Sequence, residues 1–227
     1  MQARNNSNNE SKRKLILSAK KLFYNQGYTA TTLAQISEDS KVNNGLINYY
    51  FGSKSKLAAE INTEFLLNLR NEVARQLYLT EKSYSLAIGV AVESRIHLLL
   101  RLQNPNLLRF NIEFTRDQTT YQRPNEKRVH YYELQKRLIN PNISDLDLRF
   151  YEVCGIRLVE ALLEAYNAEY LVCEADKIAD YTIRMLFHML QLPVFQIEAL
   201  LEQSIFLTER LNMKVGPEFR FITDSAK

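Results

Sequence analysis

Glycine and proline are scarce in this sequence of 227 residues, with only six and five copies. So few turn-forming residues disfavour a turn-rich all-β fold and favour long helices. No apolar run reaches the roughly 18 residues that a membrane-spanning helix needs. The N-terminus, MQARNNSNNESKRK, lacks the apolar segment of a secretory signal. We therefore expect an all-α, cytoplasmic protein, in which 46% hydrophobic residues can form a substantial core.

Residues with catalytic or metal-binding chemistry are also few. The two cysteines, Cys154 and Cys173, have no histidine or further cysteine at metal-ligand spacing, so we expect two reduced thiols. The histidines His97, His130 and His188 are scattered, and the patterns G-x-x-x-x-G-K-[ST], G-x-S-x-G and H-E-x-x-H are absent. We predict no enzymatic activity, no metal and no cofactor.

Charge is distributed unevenly along the chain. Residues 1–56 contain nine lysines and arginines and three acids, a net charge of +6, and the remainder carries −3. A basic N-terminal segment on a mildly acidic body indicates a polyanionic partner for the N-terminal part only.

Residues 31–57, TTLAQISEDSKVNNGLINYYFGSKSKL, predict two short helices separated by a turn. Thr32 and Gln35 form a T-x-x-Q capping box at the start of the first helix. The second helix begins near Asn43 or Asn44. Its face formed by Leu46, Ile47 and Tyr50 is apolar, whereas Asn44, Asn48 and Tyr49 form a polar face. A short helix with such a polar face is suited to the major groove of DNA.

The segment from Val42 to Lys54, VNNGLINYYFGSK, resembles the turn and recognition helix of TetR-family repressors, whose usual pattern is V-S-x-G-x-L/I-Y-x-Y/H-F-x-S/N-K. The resemblance covers roughly residues 12–60. Asn43 replaces the common serine, and Asn48 replaces the common tyrosine at a position that often faces DNA. The resemblance implies a helix-turn-helix DNA-binding domain at residues 11–53 and a helical ligand-binding and dimerisation domain at residues 54–212.

The candidate DNA contacts fall into two groups. Hydroxyls, amides and helix N-termini bind phosphates, and side chains on the exposed face of the second helix reach base edges. The expected phosphate contacts are Thr31, Thr32, Asn43, Tyr49 and Lys54, the expected base contacts are Asn44, Leu46 and Asn48, and Gly45 allows a close approach. Asn43 could equally be a helix cap alone. Two asparagines and no arginine on the reading face suggest an A/T-rich site, because asparagine pairs with adenine.

Helical segments account for most of the remaining chain. We expect a disordered tail at residues 1–10 and a first helix at about 11–26, with Gly27 ending it in the left-handed conformation. The helix at about 145–166 is apolar on several sides, which predicts a central position. Residues 213–227 form a tail without an assigned structure.

The resemblance implies that the last two long helices, about 175–190 and 194–211, pair with a second copy as a four-helix bundle. Packing within one chain explains their apolar pattern about equally well. The candidate interface residues are Ile178, Met185, Met189, Ile197, Leu201 and Ile205.

A small-molecule inducer is also implied by the resemblance. Polar residues on apolar stripes of the body are the candidate ligand contacts, although each of them also fits a core or surface role. They are Tyr84, Arg95, Asn111, Tyr151 and Cys154. The predicted function is a homodimeric regulator, a repressor released from a palindromic operator by an inducer. The alternative is a ligand-independent architectural or constitutive DNA-binding protein.

Overall fold

The structure is a computed structural model that describes residues 2–117 and 126–223. The described residues form ten α-helices and one two-stranded sheet, so the predicted all-α class is confirmed. The helices are α1 (Gln2–Gln26), α2 (Leu33–Ser40), α3 (Asn44–Phe51), α4 (Lys54–Glu81), α5 (Leu86–Leu102), α6 (Pro105–Asp117), α7 (Glu126–Ile139), α8 (Asp145–Asn167), α9 (Ala175–Met189) and α10 (Val194–Leu211). The strands are β1 (Met213–Gly216) and β2 (Arg220–Thr223), joined by a 3₁₀ turn at Pro217–Phe219.

The chain divides into two compact units, of which unit 1 holds the N-terminal helices. Unit 1 comprises residues 1–68, 104–119 and 215–222, and unit 2 comprises residues 69–103, 120–214 and 223–227. This division differs from the predicted domains, because α6 and most of the C-terminal segment belong to unit 1.

The two chain ends also differ from the expectation. Helix α1 begins at Gln2 rather than near Ser11, since no proline or glycine interrupts residues 2–10 and the helix can continue into them. Within the predicted C-terminal tail, residues 213–223 form β1, the 3₁₀ turn and β2.

Helices α1, α2 and α3 pack their apolar faces together in the core of unit 1. Leu15, Phe23, Ile36 and Ile47 are fully buried, whereas Leu22 is half-buried. Helix α1 ends as predicted: Gly27 has φ +87°, and the ring of the next residue, Tyr28, lies 5.6 Å from that of Phe23. The left-handed backbone at residue 27 requires glycine.

Unit 2 is organised around α5, which packs against α9 and α10. Its buried residues lie all around the helix and include Val90, Ala91, Val92 and Leu98. The expectation of a central α8 is wrong, because its Leu146, Phe150 and Val153 are exposed. Among the described residues, no helix has the length and apolar character that a membrane span requires.

Candidate nucleic-acid interface

The N-terminus of α2 is capped as the sequence predicts. The amide of Gln35 donates to Thr32 Oγ1 at 3.2 Å, and the amide of Thr32 donates to Gln35 Oε1 at 2.8 Å. This reciprocal pair satisfies two of the free amides at the helix start. The Thr32 side chain is exposed, so its hydroxyl lies on the surface of unit 1 at a helix N-terminus.

Helix α3 begins at the predicted cap. Asn43 Oδ1 accepts a hydrogen bond from the amide of Gly45 at 2.8 Å, which fixes the first turn. Ile47 and Phe51 are buried, and the helix ends at Gly52, whose φ is +78°. The burial of these two residues holds one face of α3 against unit 1.

The opposite face of α3 is open to solvent. Asn44, Gly45 and Asn48 are exposed, Leu46 is half-buried, and Tyr49 is 73% exposed. These are the residues that the sequence predicts for base and phosphate contacts. Short amides, a hydroxyl and an accessible backbone form a surface able to pair with base edges and phosphates.

The turn between α2 and α3 is held by short-range hydrogen bonds. Ser37 Oγ donates to the carbonyl of Val42 at 2.6 Å, and the amide of Val42 donates back to the carbonyl of Ser37 at 3.2 Å. Lys41 is in the left-handed conformation, with φ 56°. These bonds fix the direction in which α3 leaves the turn.

Thr31 does not belong to the exposed surface. Its side chain is fully buried, and its hydroxyl donates to the carbonyl of Gly27 at 2.7 Å while accepting from Gln26 Nε2 at 3.2 Å. A buried hydroxyl with both functions occupied cannot hold a phosphate, so the predicted contact by Thr31 is wrong. The residue instead closes the loop between α1 and α2.

Lys54 is likewise engaged inside unit 1. Its Nζ donates to the carbonyls of Tyr28 and Thr31, both at 3.0 Å, and lies 4.2 Å from the centroid of the Tyr28 ring. These interactions occupy two of the three N–H donors of the ammonium group, so Lys54 has a structural role, and its phosphate contact stays a prediction. The side chain fixes the same loop as Thr31.

Helix α6 holds this loop from the other side, a role that the sequence did not reveal. Glu113 Oε2 accepts from the amide of Thr29 at 2.7 Å, and Asp117 Oδ2 accepts from Tyr28 Oη at 2.5 Å. Arg109 Nη2 donates to the carbonyl of Asn25 at 2.8 Å, at the C-terminus of α1. The pKa of Tyr28 is raised by burial and by its bond to Asp117. Spacing along the sequence gave no signal for these contacts between residues more than 80 positions apart.

Much of the basic character of unit 1 is neutralised locally. Lys12 pairs with Glu60 and Lys20 with Glu64, both at 2.8 Å, and further pairs join Lys14 to Glu10 and Lys21 to Asp39. Within the described part of unit 1, Arg13, Lys41 and Lys56 are basic side chains that form no ion pair. They are the cations most available to a polyanion.

The predicted ligand residues are dispersed. Asn111 lies on α6 in unit 1, and Cys154 is an exposed free thiol on α8. Cys173, which follows α8, is also an exposed free thiol. Tyr84 is half-buried, and its hydroxyl donates to the carbonyl of Ala74 at 3.3 Å. Asn111 and Cys154 therefore do not line an interior site of unit 2.

Tyr151 lies in the interior of unit 2. Its hydroxyl donates to Gln135 Oε1 at 2.7 Å, and both side chains are buried. Its ring lies perpendicular to that of Tyr132 at 5.4 Å. Burial raises the pKa of the Tyr151 phenol.

Arg95 is 1% exposed and fully engaged within unit 2. Its guanidinium donates to Asp176 at 3.0 Å, to Ser204 at 3.3 Å and to Asp180. The side chain thereby ties α5 to α9 and α10.

Arg95 also lines a cavity of about 220 Å³ whose further walls include Ile96, Leu99, Ile205, Thr208 and Met213. Thr208 Oγ1 is buried there and has no hydrogen-bond partner among the described residues.

A second polar group lies between α4, α5 and α7 in unit 2. Arg70 Nε and Nη2 both donate to Glu93 at 3.0 Å, and the Arg70 Cζ lies 3.4 Å from the centroid of the Tyr131 ring. His97 Nε2 is buried without a hydrogen-bond partner in the described chain. Burial, together with the charges of Arg101 and Arg70, lowers the pKa of His97 well below 6.5. Burial also lowers the pKa of Arg101 to about 9.

The predicted dimer residues divide between the core and the surface of unit 2. Ile178, Ile197 and Leu201 are buried inside the unit, so they cannot form an interface. Met185, Met189 and Ile205 are half-buried. The large apolar side chains that α9 and α10 expose are Tyr181, Val194, Phe195 and Phe206.

Comparison with known families identifies the N-terminal segment. Residues 15–61 match the family described as bacterial regulatory proteins, tetR family. Over 68 residues the chain is 38% identical to the HTH-type transcriptional regulator HbdR of Aromatoleum sp. (strain CIB), which is 30% of this chain and 30% of that relative. The match thus spans less than a third of the relative's length.

Two solved structures are similar to this chain over most of its length. RolR in complex with the ligand resorcinol aligns with a TM-score of 0.58 at 16% identity, over 88% of this chain and 95% of RolR. RolR without ligand aligns with a TM-score of 0.51 at 19% identity, over 85% of this chain and 96% of that one. At this identity the likeness shows the fold.

Proposed function

We propose that this chain, whose residues 15–61 match the tetR family of bacterial regulatory proteins, belongs to that family and is a homodimeric repressor that reads a palindromic operator and is released by a small-molecule inducer. Members of the family regulate transcription by binding DNA, so we assign no catalytic residue. The bacterial cytoplasm is the location that we propose for it, because its target is chromosomal DNA.

The exposed face of α3 carries the proposal. Asn44, Gly45, Asn48 and Tyr49 are exposed on a helix whose opposite face is buried in unit 1. We assign Asn44 and Asn48 to base edges, with Leu46 beside them, and Asn43, Tyr49 and Thr32 to phosphates. We also assign phosphate contacts to Lys41 and Lys56, whose side chains are exposed, because Thr31 is buried and Lys54 donates within unit 1.

Selection of bound sites from random double-stranded DNA tests this proposal. We expect a palindrome with half-sites about 34–36 Å apart and A/T-rich, because asparagine pairs bidentately with adenine. Asn48→Ala or Asn44→Ala should relax the preference at one position of each half-site, at a cost of about 1–3 kcal/mol. Asn71→Ala, an exposed asparagine on α4 in unit 2, is the matched control. G-rich half-sites would refute the A/T preference, and no enriched palindrome would refute operator reading.

For the dimer we propose a face of unit 2 defined by Tyr181, Met185, Phe195 and Phe206, the α9–α10 face. Phe195 and Phe206 are 73% and 56% exposed and lie 11 positions apart, on one side of α10. Exposed apolar side chains concentrated on two neighbouring helices are typical of a protein interface. A two-fold partner is also what a palindromic operator requires.

For the inducer we propose the cavity beside Arg95 and Thr208. The hydroxyl of Thr208 is buried without a partner, and a bound molecule could supply the missing hydrogen bond. The structurally similar RolR was solved with resorcinol, which is a small polar aromatic molecule. Moving the repressor from 99:1 to 1:99 between its DNA-binding and released forms needs about 5.5 kcal/mol of differential ligand binding.

Thermal-shift screening of small organic molecules, followed by operator release, tests the inducer site. Thr208→Val removes the hydroxyl at nearly constant size and should weaken the effect of any hit, whereas Thr80→Val on α4 should not. A hit that acts equally on both variants would place the ligand elsewhere.

The alternative function is a constitutive or architectural DNA-binding protein. Both forms predict that no small molecule changes DNA affinity, and the architectural form also predicts equal affinity for all sequences. If no screened molecule lowers operator affinity, the constitutive form is favoured. Equal affinity for all DNA sequences would favour the architectural form.

A further inference from the structure

The C-terminal segment contributes aromatic side chains to the core of unit 1. Phe219 is 6% exposed, and its ring centroid lies 4.9 Å from that of Phe110, 5.8 Å from Tyr24 and 6.1 Å from Phe65. Phe221 stacks on Phe65 at 5.2 Å. Phe219 therefore fills the space between α1, α4 and α6. Each of its three ring partners lies more than 100 positions earlier in the sequence.

A hydrogen-bonded side chain, Asn104, joins α1, α6 and the C-terminal segment. Asn104 Nδ2 donates to Tyr24 Oη on α1 and to the carbonyl of Val215, both at 3.0 Å. Its Oδ1 accepts from the amide of Leu107 at 3.0 Å and caps α6. The start of α6, the C-terminal end of α1 and the beginning of the C-terminal segment are thus fixed to one residue.

The backbone of the 3₁₀ turn is in an unfavourable conformation. Glu218 and Phe219 both have φ 60°, in the left-handed region that bulky residues rarely adopt. Such a conformation persists only where surrounding contacts compensate for it. Here the compensating contacts are those of the Phe219 ring, which indicates that the turn is shaped to insert this side chain.

We propose that residues 215–222 are a positioning element for DNA reading, with Phe219 as its anchor. The packing continues from Phe219 through Phe110 to Phe23, at 5.6 Å, and from Phe23 to Tyr28, at 5.6 Å. Tyr28 starts the loop into α2, and α1 itself packs against both α2 and α3. Docking of the C-terminal segment thereby holds α1 in the position on which the orientation of α3 depends.

This inference rests on the proposed function where it concerns operator affinity. The experiment therefore also measures hydrogen exchange, which requires no DNA. Phe219→Ala in the full chain is compared with Phe219→Leu, which keeps an apolar side chain, and with Phe150→Ala, which removes an exposed phenylalanine from α8 in unit 2. Hydrogen exchange of backbone amides reports on α2 and α3, and titration with the selected operator reports on affinity. Sedimentation and circular dichroism confirm that each variant keeps its oligomeric state and helix content.

We expect Phe219→Ala to weaken operator binding and to speed amide exchange in α2 and α3, each by about tenfold or more, because a buried aromatic ring is lost. Phe219→Leu should recover most of both, exchange in α5, α9 and α10 should be unchanged, and Phe150→Ala should match the wild type. Unchanged exchange and affinity in Phe219→Ala would overturn the inference.

Two further cases complete the test. If Phe219→Ala does not fold, Phe221→Ala, which removes only the stack on Phe65, takes its place with a smaller expected effect. If the wild type binds no DNA sequence preferentially, faster exchange in α2 and α3 of Phe219→Ala would still support the positioning of these helices by residues 215–222, and the operator function would be refuted.

Discussion

The Nζ atom of Lys54 lies 3.0 Å from the carbonyl oxygen of Thr31. A second bond to the carbonyl of Tyr28 and a contact with the Tyr28 ring complete its surroundings. The loop between α1 and α2 is therefore held by Lys54 at one side and by Glu113 and Asp117 of α6 at the other. This loop leads directly to Thr32, the cap residue of α2.

Lys54→Ala should destabilise unit 1 and leave the phosphate contacts in place. Two charge-assisted hydrogen bonds and a cation–π contact are lost, and for a half-buried group we expect about 1–3 kcal/mol in the free energy of unfolding. Chemical denaturation measures this loss. The salt dependence of DNA affinity should keep its wild-type slope.

Lys41→Ala and Lys56→Ala are the matched controls, because both side chains are exposed. They should leave the stability unchanged and reduce the slope of log K against log salt by about 0.9 for each lost phosphate contact. A reduced slope in Lys54→Ala with unchanged stability would show that Lys54 contacts phosphate after all.

The dimer should depend on the α9–α10 face. Phe206→Glu places a charge on that face, so desolvation of the carboxylate opposes association. Sedimentation should show a monomer that binds the palindrome far more weakly than the wild type. Tyr78→Glu, at an exposed aromatic position of α4, should remain dimeric. A dimeric Phe206→Glu would place the interface on another surface.

Arg95→Met should strongly destabilise unit 2. The variant leaves the carboxylate of Asp180 and the hydroxyl of Ser204 without their partner, and breaking a buried ion pair from one side costs about 3–5 kcal/mol. Arg157→Met removes an exposed pair with Glu160 and should cost only about 0–1 kcal/mol. Equal losses in the two variants, measured by denaturant titration, would contradict the structural role assigned to Arg95.

Stability should fall with acid because of His97. Its pKa in the folded protein is below the ordinary value of 6.5, owing first to burial and then to Arg101 and Arg70. The unfolded chain therefore binds the proton first as the pH falls, so stability is complete above pH 6.5 and is lost on going down towards the lowered folded pKa. The loss approaches about 1.4 kcal/mol per pH unit. His97→Gln should make the denaturation midpoint less dependent on pH between pH 7 and 5.5. A pH dependence equal to that of the wild type would contradict the assignment of this effect to His97.

Local signals in the sequence predicted the DNA-binding elements well. The capping box of Thr32 and Gln35, the cap at Asn43 and the glycine at 27 depend on neighbours within four positions, and the structure confirms each. Helix bounds in unit 2 were predicted to within a few residues for the same reason.

Contacts between distant segments were not predictable from these signals. Thr31 looks like an exposed hydroxyl beside a helix start, yet it turns inward to bond the carbonyl of Gly27. Apolar spacing marks Ile178, Ile197 and Leu201 as buried but does not distinguish a core from a partner surface. The docking of Phe219 on α1, α4 and α6 left no periodic pattern, because it depends on a single turn far along the chain.

The ratio of affinities for the selected palindrome and for a scrambled duplex of equal composition, measured at one salt concentration, tests the central claim most directly. An operator-reading dimer should prefer the palindrome by about 10³-fold or more, and Asn48→Ala should reduce this ratio while Asn71→Ala preserves it. Equal affinity for both duplexes would contradict the assignment of α3 as a sequence-reading helix.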